Sequence, residues 1–344
     1  MSKIFLRRVF RICLFVAGFG AATLIVAYNS FYGNAVKQES SIYIYSESTY
    51  DQLCHNIEDV IGNSALKVAA FNLYASHINL SNRYKAGHYY LTKGMSVIRI
   101  ARNLALGEQT PINLVVGGAR TIPQLASKLS QQIAADSAEL VKLLYDKKIR
   151  ASHGYVRDSI MAMFIPNTYE VYWTISPEQL LQRMHREYDT FWNASRESKR
   201  KGLKMSRYEV MTLASIVYEE TKAVDEMARV AGVYINRLRK GMPLQADPTV
   251  KYALQDFGLK RILHKHLRTK SPYNTYVNKG LPPSPICIPS IAAIDAVLNY
   301  EKHSYIFFCA RPEFDGRHNF ARTLSEHNAN ARAYSAALNK LKIK

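Results

Sequence analysis

Two adjacent acidic residues, Glu219 and Glu220, close a segment whose apolar residues recur at helical spacing. The segment opens with Ser206 and Glu209, a Ser-x-x-Glu capping box that is typical of a helix start. Neighbouring residues on a helix are ~100° apart, so the two carboxyl groups face different ways. Glu219 falls on the polar flank of the predicted helix, whereas Glu220 falls on the apolar side, above Ile216.

A carboxyl group held against apolar residues can donate a proton at neutral pH. Burial removes water from the group, disfavours its charged form and raises its pKa. Glu220 is the candidate for this role, because Leu213 and Val217 lie on the same side of the predicted helix. Glu219 is the lesser candidate. Taken alone, the same pattern also describes two ordinary solvated glutamates at a helix end.

Three segments after this helix suit a neutral ligand that is rich in hydroxyl groups. They are Leu244–Thr249, Tyr273–Tyr276 and Gly280–Ile286, and all three predict loops with polar or aromatic tips. Amides and carboxylates bond hydroxyl groups, and tyrosine rings stack on sugar faces. The prolines of the last segment fix its backbone. Each polar residue taken singly could instead cap a turn or a strand end.

Charge and cysteine usage narrow the classes of function. The chain has 344 residues, of which 48% are apolar, and this is enough for about two domains that each bury a hydrophobic core. A formal charge of +19 attracts polyanions such as nucleic acid, anionic lipid or anionic wall polymer. The sequence has no zinc-finger spacing, groove-binding basic helix or Gly-rich phosphate loop, which argues against nucleic acid. The four cysteines and the pair His318 and His327 lack the spacing of a metal site.

The N-terminus predicts a single transmembrane helix over residues 12–32, preceded by a basic cytoplasmic tail over residues 1–11. No charged residue occurs between Ile12 and Val36, which is long enough to span a bilayer. Lys3, Arg7, Arg8 and Arg11 precede this run, and the next charge after it is Lys37. The positive-inside rule therefore places the N-terminus in the cytoplasm and the rest of the chain outside it. A cleaved signal peptide is the competing interpretation. The apolar run continues without a polar cleavage region, which favours an uncleaved anchor.

The remaining elements predict an α+β protein. A small α+β module is expected over residues 41–116, and it holds no cluster of acids or thiols suited to chemistry. A mixed α/β region is expected over residues 117–340. Within it, the basic segment 195–204 predicts an exposed connector. Residues 305–310 predict a strand that precedes a C-terminal helix.

Several motifs in this order and spacing resemble the YceG-like endolytic murein transglycosylases, also called MltG. The motifs are Leu213–Thr221, Val233–Leu238, Leu244–Thr249, Tyr273–Tyr276, Gly280–Ile286, His318–Phe320 and His327–Asn328. They cover residues 206–330, and Phe164–Tyr169 and the N-terminal anchor also agree. The family commonly reads Ser-Ile-Val-Glu-x-Glu, whereas this chain has Tyr218 at the first acidic position. The later position, Glu220, carries over as the catalytic one.

The resemblance implies an activity. A member of this family cleaves the MurNAc-β-1,4-GlcNAc bond of nascent glycan strands and leaves 1,6-anhydroMurNAc ends, in cell-wall assembly and glycan-strand termination. Glu220 would protonate the glycosidic oxygen and then take the proton of the C6 hydroxyl group as it closes the ring. Asp247 could stabilise the positive charge of the transition state. No metal or cofactor is expected.

The resemblance also implies an organisation and a set of binding residues. Residues 41–116 would form a LysM-like domain, and residues 117–340 a YceG-like catalytic domain on the periplasmic side of the inner membrane. The partners would be peptidoglycan glycan strands and peptidoglycan synthases in the membrane, and not nucleic acid. The implied substrate-binding residues are Asn236, Arg237, Gln245, Asp247, Thr249, Tyr273, Asn274, Thr275, Tyr276, Pro283 and His318.

Other classes of function stay open at this point. The substitution at Tyr218 gives some support to a non-catalytic peptidoglycan-binding scaffold for cell-wall synthases. The charge of +19 suggests a membrane-tethered nucleic-acid binder, although the predicted topology argues against it. A hydrolase is a closer rival, which would use a second carboxylate and leave reducing ends.

Overall fold

The computed structural model describes residues 3–62, 64–152, 154–155, 157–259 and 261–340. The chain forms two compact units. The first unit comprises Met1–Asn113 and Glu170–Ile175, and the second comprises Leu114–Tyr169 and Ser176–Lys344. The assignment of residues 41–116 and 117–340 to named domains stays a prediction. Residues 1 and 2 of the predicted cytoplasmic tail lie outside the described residues.

The first unit begins with a long apolar helix, α1, which spans Lys3–Tyr32. Its segment Arg7–Tyr32 is long and apolar enough to cross a membrane, and an 18-residue window within it has a mean hydropathy of 2.2. The expected N-terminal apolar helix is therefore present. Beyond Gly33 and Asn34 the chain enters the core of the unit at once, where Ala35 and Val36 are buried.

The rest of the first unit packs helices beside a small antiparallel sheet. Strand β1 (Ser40–Ile44) pairs with β2 (Gly87–Leu91), and Ile42 lies opposite Tyr89. The helices are α2 (Tyr50–Ile61), α3 (Ala65–His77) and α4 (Val97–Leu106). A short 3-10 helix spans Leu80–Asn82. These elements confirm a mixed helix and sheet structure here.

Local sequence explains where α4 begins and ends. The Ser96 side chain accepts a hydrogen bond from the Arg99 amide and so caps a free donor of the first turn. Gly107 follows the helix with φ 75°, a left-handed conformation that glycine adopts without steric penalty.

The second unit begins with short elements. Strands β3 (Ile112–Val116) and β4 (Asn167–Val171) form a two-stranded sheet, and the division between the units falls within both strands. Between them lie α5 (Ile122–Ser130), α6 (Ser137–Tyr145), α7 (Lys147–Ser152) and a 3-10 helix over Arg157–Met163. Helices α8 (Pro177–Phe191) and α9 (Ala194–Leu203) follow.

The predicted exposed connector over residues 195–204 has no buried residue in α9, but it is helical. The Asn193 side chain caps its first turn by accepting a hydrogen bond from the Arg196 amide. The Arg196 guanidinium then donates two hydrogen bonds to Asp295, at 2.9 and 3.0 Å. Arg200 pairs with Glu197 in the same way, at 2.7 Å. Composition alone does not reveal these partners.

The remaining elements of the second unit surround a central helix, α10, over Arg207–Glu220. They are, in chain order, α11 (Val224–Arg239), α12 (Asp247–Leu254), α13 (His264–Leu267), α14 (Ile291–Leu298), β5 (Phe307–Ala310), β6 (His318–Ala321) and α15 (Leu324–Lys340). Strands β5 and β6 pair antiparallel, with Phe308 opposite Phe320. The predicted strand over residues 305–310 is thus shorter at its start.

Helix α10 is buried on every side from Val210 to Val217, and not along one stripe as its apolar spacing suggested. Thr212 and Ser215, on the same face of the helix as Glu219, are fully buried. Their hydroxyl groups donate to the carbonyl groups of Tyr208 and Thr212, at 2.9 and 2.7 Å. Side-chain bonds of this kind satisfy a buried hydroxyl group within its own helix. Ser215 also accepts the Ile286 amide at 3.0 Å, which fixes the proline-rich loop against α10.

Candidate active site

A cavity of about 480 Å³ opens where α10 ends. It is bounded by α10, α11, the start of α12, strands β5 and β6, and α15. The residues that line it are Glu220, Tyr234, Arg237, Leu244, Gln245, Asp247, Tyr276, Phe307, Phe308, Cys309, Ala310, His318, Leu324, His327 and Asn328. The predicted catalytic residue and five of the predicted binding residues therefore line the same cavity, together with the aromatic rings of Phe307 and Phe308.

Glu220 is the last residue of α10, and its side chain is half-buried in this cavity. Burial raises the pKa of its carboxyl group to about 7. A hydrogen bond from Tyr234 acts against this shift, and the negative charge of Asp247 adds to it. The carboxyl group is thus poised to exist in both protonation states near neutral pH.

Tyr234 is the side chain that holds Glu220. Its hydroxyl group donates a hydrogen bond to Oε1 of Glu220 at 2.8 Å. Its ring is buried and meets Phe308 edge-on, with centroids 5.7 Å apart. Burial raises the pKa of Tyr234 well above its usual value, so the phenol remains a donor. Tyr234 lies in the motif Val233–Leu238 and was not among the predicted site residues, although a buried tyrosine hydroxyl generally requires a partner.

A second acidic residue of the cavity, Asp247, begins α12. The Tyr276 hydroxyl group donates to Oδ1 of Asp247 at 2.6 Å. Burial first, and then this hydrogen bond, raise the pKa of Tyr276, so its hydroxyl group stays protonated. The segment 244–249 was predicted to be a loop throughout, and this is wrong from Asp247 onward, where Pro248 initiates a helix.

Arg237 lines the cavity and at the same time connects three chain segments. It is 6% exposed, and burial lowers its pKa. Its guanidinium group donates to the carbonyl groups of Ile306 and Leu244, both at 2.7 Å, and to the Gln245 side chain at 3.2 Å. These bonds hold Gln245, a residue with φ 54°, at the edge of the cavity.

His318 lies on β6 and is oriented by a buried carboxylate. Glu226, which is 5% exposed, accepts the His318 amide at 3.0 Å and contacts Nδ1 at 2.8 Å. A carboxylate partner requires the proton on Nδ1, so Nε2 is the nitrogen that remains for a ligand. His318 lines the cavity, and its role as a binding residue stays a prediction. Glu226 was missed, because the two residues are far apart in the sequence.

The other predicted binding residues lie outside the cavity lining and bond within the protein. Asn236 donates to the carbonyl groups of His303 and Tyr305 at 2.8 and 3.0 Å. Asn274 is fully buried and donates to the carbonyl groups of Leu267 and Thr269, both at 2.9 Å. These amides fix the backbone of the segments that surround the cavity.

Four further predicted residues hold the loops together. The buried hydroxyl groups of Thr249 and Thr275 are 2.8 Å apart. The Tyr273 hydroxyl group contacts Ser284 at 2.6 Å, and the Pro283 carbonyl group accepts a hydrogen bond from Tyr208. These contacts tie the segment 273–276 to α12 and to the proline-rich loop.

Glu219 faces away from the cavity that holds Glu220. Its Oε2 atom contacts Nη2 of Arg120 at 2.9 Å, and both residues line a separate, small cavity. The two adjacent carboxyl groups therefore have different surroundings, as the helical geometry predicted. Glu219 is paired with Arg120, whereas burial favours the protonated form of Glu220.

Among the described residues, no group of three or more His, Cys, Asp or Glu side chains is placed to hold a metal ion. Cys13, Cys54, Cys287 and Cys309 are free thiols. The chemistry that this cavity supports is proton transfer by a carboxyl group beside hydroxyl and amide groups that can bind a polar ligand.

Such a site, at the end of a central helix, is that of an acid–base enzyme acting on a hydroxyl-rich substrate. The YceG-like family profile matches residues 42–333, and the chain belongs to this family. It is 30% identical to a YceG-like protein from Listeria monocytogenes, whose crystal structure at 2.6 Å aligns with a TM-score of 0.58 over 85% of this chain and 98% of that one.

Two curated relatives carry the name endolytic murein transglycosylase. The one from Bacillus subtilis (strain 168) is 28% identical over 286 residues, which is 78% of each chain. The one from Streptococcus pneumoniae (strain ATCC BAA-255 / R6) is 27% identical over 295 residues, which is 76% of this chain. The match spans about half, 52%, of the length of the pneumococcal protein.

Proposed function

We propose that the protein is a membrane-anchored endolytic transglycosylase of peptidoglycan. It cleaves the MurNAc-β-1,4-GlcNAc bond within nascent glycan strands and leaves 1,6-anhydroMurNAc ends. The observation that carries the proposal is the Glu220 carboxyl group, whose pKa is raised to about 7 by burial in the cavity. Such a group can donate a proton and take one back within a single catalytic cycle.

Glu220 performs both proton transfers. In its protonated form it gives its proton to the glycosidic oxygen, and the bond between this oxygen and C1 of MurNAc breaks. The sugar ring then carries positive charge, which the carboxylate of Asp247 stabilises. The Glu220 carboxylate next accepts the proton of the C6 hydroxyl group while the C6 oxygen bonds to C1. Glu220 ends protonated, and no water is consumed.

The cavity residues with free bonding capacity contact the sugars. Gln245, Asp247, Tyr276 and His318 offer amide, carboxylate, hydroxyl and imidazole groups at the wall that faces Glu220. Neutral and acidic groups of this kind bond sugar hydroxyls. Arg237, Asn236, Thr249, Tyr273, Asn274, Thr275 and Pro283 act through the backbone segments that they hold.

The helix α1 anchors the protein in the inner membrane. Basic residues precede its apolar run, so residues 1–11 lie in the cytoplasm and the second unit acts on the periplasmic side. Residues 41–116 serve as a LysM-like module. The protein works beside peptidoglycan synthases, whose nascent strands are its substrate.

Digestion of purified peptidoglycan by the full chain in detergent micelles tests this function. We expect wild-type protein to release fragments with 1,6-anhydroMurNAc ends by mass spectrometry and Glu220→Gln to release none. Glu219→Gln is the matched control and keeps the activity, since Glu219 contacts Arg120 outside the cavity. Reducing ends in place of anhydro ends would identify a hydrolase that uses Asp247 as its second carboxylate. Equal products from wild type and Glu220→Gln, or none from either, would reject the assignment.

A further inference from the structure

The first unit contains an apolar groove between α1 and α3. It has a volume of about 520 Å³. The residues that line it are Phe19, Ala22, Thr23, Val26, Ala27, Ser30 and Phe31 of α1 and Leu66, Ala69, Ala70 and Leu73 of α3. One wall of this groove is therefore the helix that is apolar enough to cross a membrane.

The groove offers little bonding capacity to a polar ligand. Its two hydroxyl groups already donate within α1, Thr23 to the Gly20 carbonyl and Ser30 to the Val26 carbonyl, both at 2.8 Å. All other lining side chains are hydrocarbon. A sugar or an extended peptide would lose its hydrogen bonds to water on entering, whereas an acyl chain loses none.

Helix α3 extends this apolar surface outward. Leu66 and Leu73 are 61% and 65% exposed, and Ala69 lies between them on the same face. The opposite face of α3 packs Phe71 and Ala75 into the core of the unit. The helix also contains Lys67 and no carboxylate. An exposed apolar face with a basic neighbour is typical of a helix at a membrane surface.

The position of the groove along α1 gives its depth. A hydrocarbon core of ~30 Å takes about 20 helical residues. Counted from Arg11, the last charge before the apolar run, the core ends near Phe31. The groove lining begins at Phe19, just before the middle of this core, and ends at Phe31, so most of the groove lies in the outer half of the bilayer.

The connection between α1 and the rest of the first unit is short and is held by backbone hydrogen bonds. The amides of Ala35 and Val36 both donate to the Met95 carbonyl group, at 2.9 and 3.2 Å. The Gly94 amide donates back to the Val36 carbonyl group at 2.9 Å. Only Gly33 and Asn34 separate these bonds from α1, so α3 cannot be lifted far from the bilayer when α1 spans it.

We propose that α3 is a second membrane contact, which lies in the outer leaflet with lipid acyl chains filling the groove between α1 and α3. The inference rests on the proposed anchoring by α1. Leu66 and Leu73 enter the hydrocarbon, and Lys67 reaches the headgroups of anionic lipids. The first unit is thereby held flat against the membrane.

Quenching of site-specific labels by lipid tests this contact. The background is the full chain with Cys13, Cys54 and Cys309 replaced by serine; Cys287 is buried, and burial raises the pKa of its thiol, so it does not react. Single cysteines at Leu66, Leu73, Leu24 and His55 carry an environment-sensitive fluorophore. The vesicles contain phosphatidylcholine and phosphatidylglycerol, with or without nitroxide groups on the acyl chains.

We expect nitroxide lipid to quench the labels at Leu66 and Leu73 severalfold more than the label at His55, which lies exposed on α2. The label at Leu24 reports the anchor itself. Quenching at Leu24 together with none at Leu66 and Leu73 would overturn the inference and leave the anchor intact. No quenching at Leu24 would reject the anchor, and the inference with it. If the labels at Leu66 and Leu73 are not quenched and unlabelled Leu73→Cys forms disulfide-linked dimers, the groove would instead be occupied by a second copy of the chain.

A measurement on the unsubstituted chain gives an independent answer. Phosphatidylcholine with a diazirine in its acyl chain forms covalent adducts on illumination with whatever lies in the hydrocarbon. Mass spectrometry should place adducts on residues 65–77 as well as on α1. Adducts confined to α1 would contradict the proposed contact.

Discussion

Tyr234 donates its hydroxyl hydrogen to Oε1 of Glu220 over 2.8 Å, so the proposed acid–base group is held by a buried phenol on the neighbouring helix. The two influences on Glu220 oppose each other. Burial favours the protonated form, whereas the hydrogen bond favours the carboxylate. The pKa of about 7 is the balance between them, and a single group can therefore serve as acid and as base.

Tyr234→Phe should move the pH dependence of the reaction upward. Without the donated hydrogen bond the carboxylate of Glu220 is less stable, so its pKa rises above about 7. The decline of kcat/KM at high pH, which follows loss of the proton from Glu220, should shift by the same amount. Tyr169→Phe is the control, because it removes a buried hydroxyl group that donates to the Ile165 carbonyl. An unchanged profile in Tyr234→Phe would contradict this account.

Asp247→Asn should shift the same profile in the opposite direction. The negative charge of Asp247 raises the pKa of Glu220, so its removal lowers that pKa. The rate should also fall by about 10- to 100-fold, because the charge that stabilises the transition state is lost. Rates measured between pH 5 and pH 9 check both effects. A normal rate with an unshifted profile would show that Asp247 has neither role.

Glu220→Gln should change how stability depends on pH. The pKa of Glu220 in the folded protein, about 7, is raised above the ordinary value of 4.5. The stabilisation that follows from a raised carboxyl pKa is complete below 4.5 and is lost as the pH rises through 7. The free energy of unfolding of the wild type should therefore fall by up to about 3 kcal/mol relative to that of Glu220→Gln between pH 4.5 and pH 8.5.

Urea unfolding of the full chain in micelles measures this difference at the two pH values. Glu219→Gln controls for the loss of a carboxylate at the same helix end. A difference between wild type and Glu220→Gln that does not vary with pH would show that the pKa of Glu220 is not raised.

The catalytic candidate could be found from sequence because a helix fixes direction. Once Ser206 and Glu209 mark the start of α10, the face on which Glu220 lies follows from its angle to Leu213 and Val217. The partners of Glu220 do not follow in this way. Tyr234 is on another helix, and its approach depends on how α10 and α11 pack, which apolar spacing does not specify.

The same limit explains the predicted residues that lie outside the cavity. Thr249, Asn274 and Thr275 belong to the motifs that carry the family resemblance, yet their polar groups form hydrogen bonds within the protein. A motif marks residues that the fold or the chemistry requires, and does not separate the two. Burial separates them, because fully buried groups already have protein partners.

The contact between Glu226 and His318 leads to a prediction about positioning. Glu226→Gln replaces a carboxylate that holds both the amide and Nδ1 of His318 by a weaker, uncharged acceptor. His318 should then lose its fixed orientation at the cavity wall, and kcat/KM should fall by about 10-fold, as removal of such a supporting group typically does. The decline of activity at high pH should stay in place, because Glu220 keeps its surroundings.

Asp225→Asn is the matched control for this prediction. Asp225 is the neighbouring acid on α11, and its carboxylate pairs with Arg317 at the surface at 2.8 Å. We expect this variant to keep the wild-type rate, since an exposed ion pair contributes little. Equal losses in the two variants would mean that the charge at this end of α11 matters in general. A loss in Glu226→Gln alone, with thermal stability close to that of Asp225→Asn, would assign the effect to the orientation of His318.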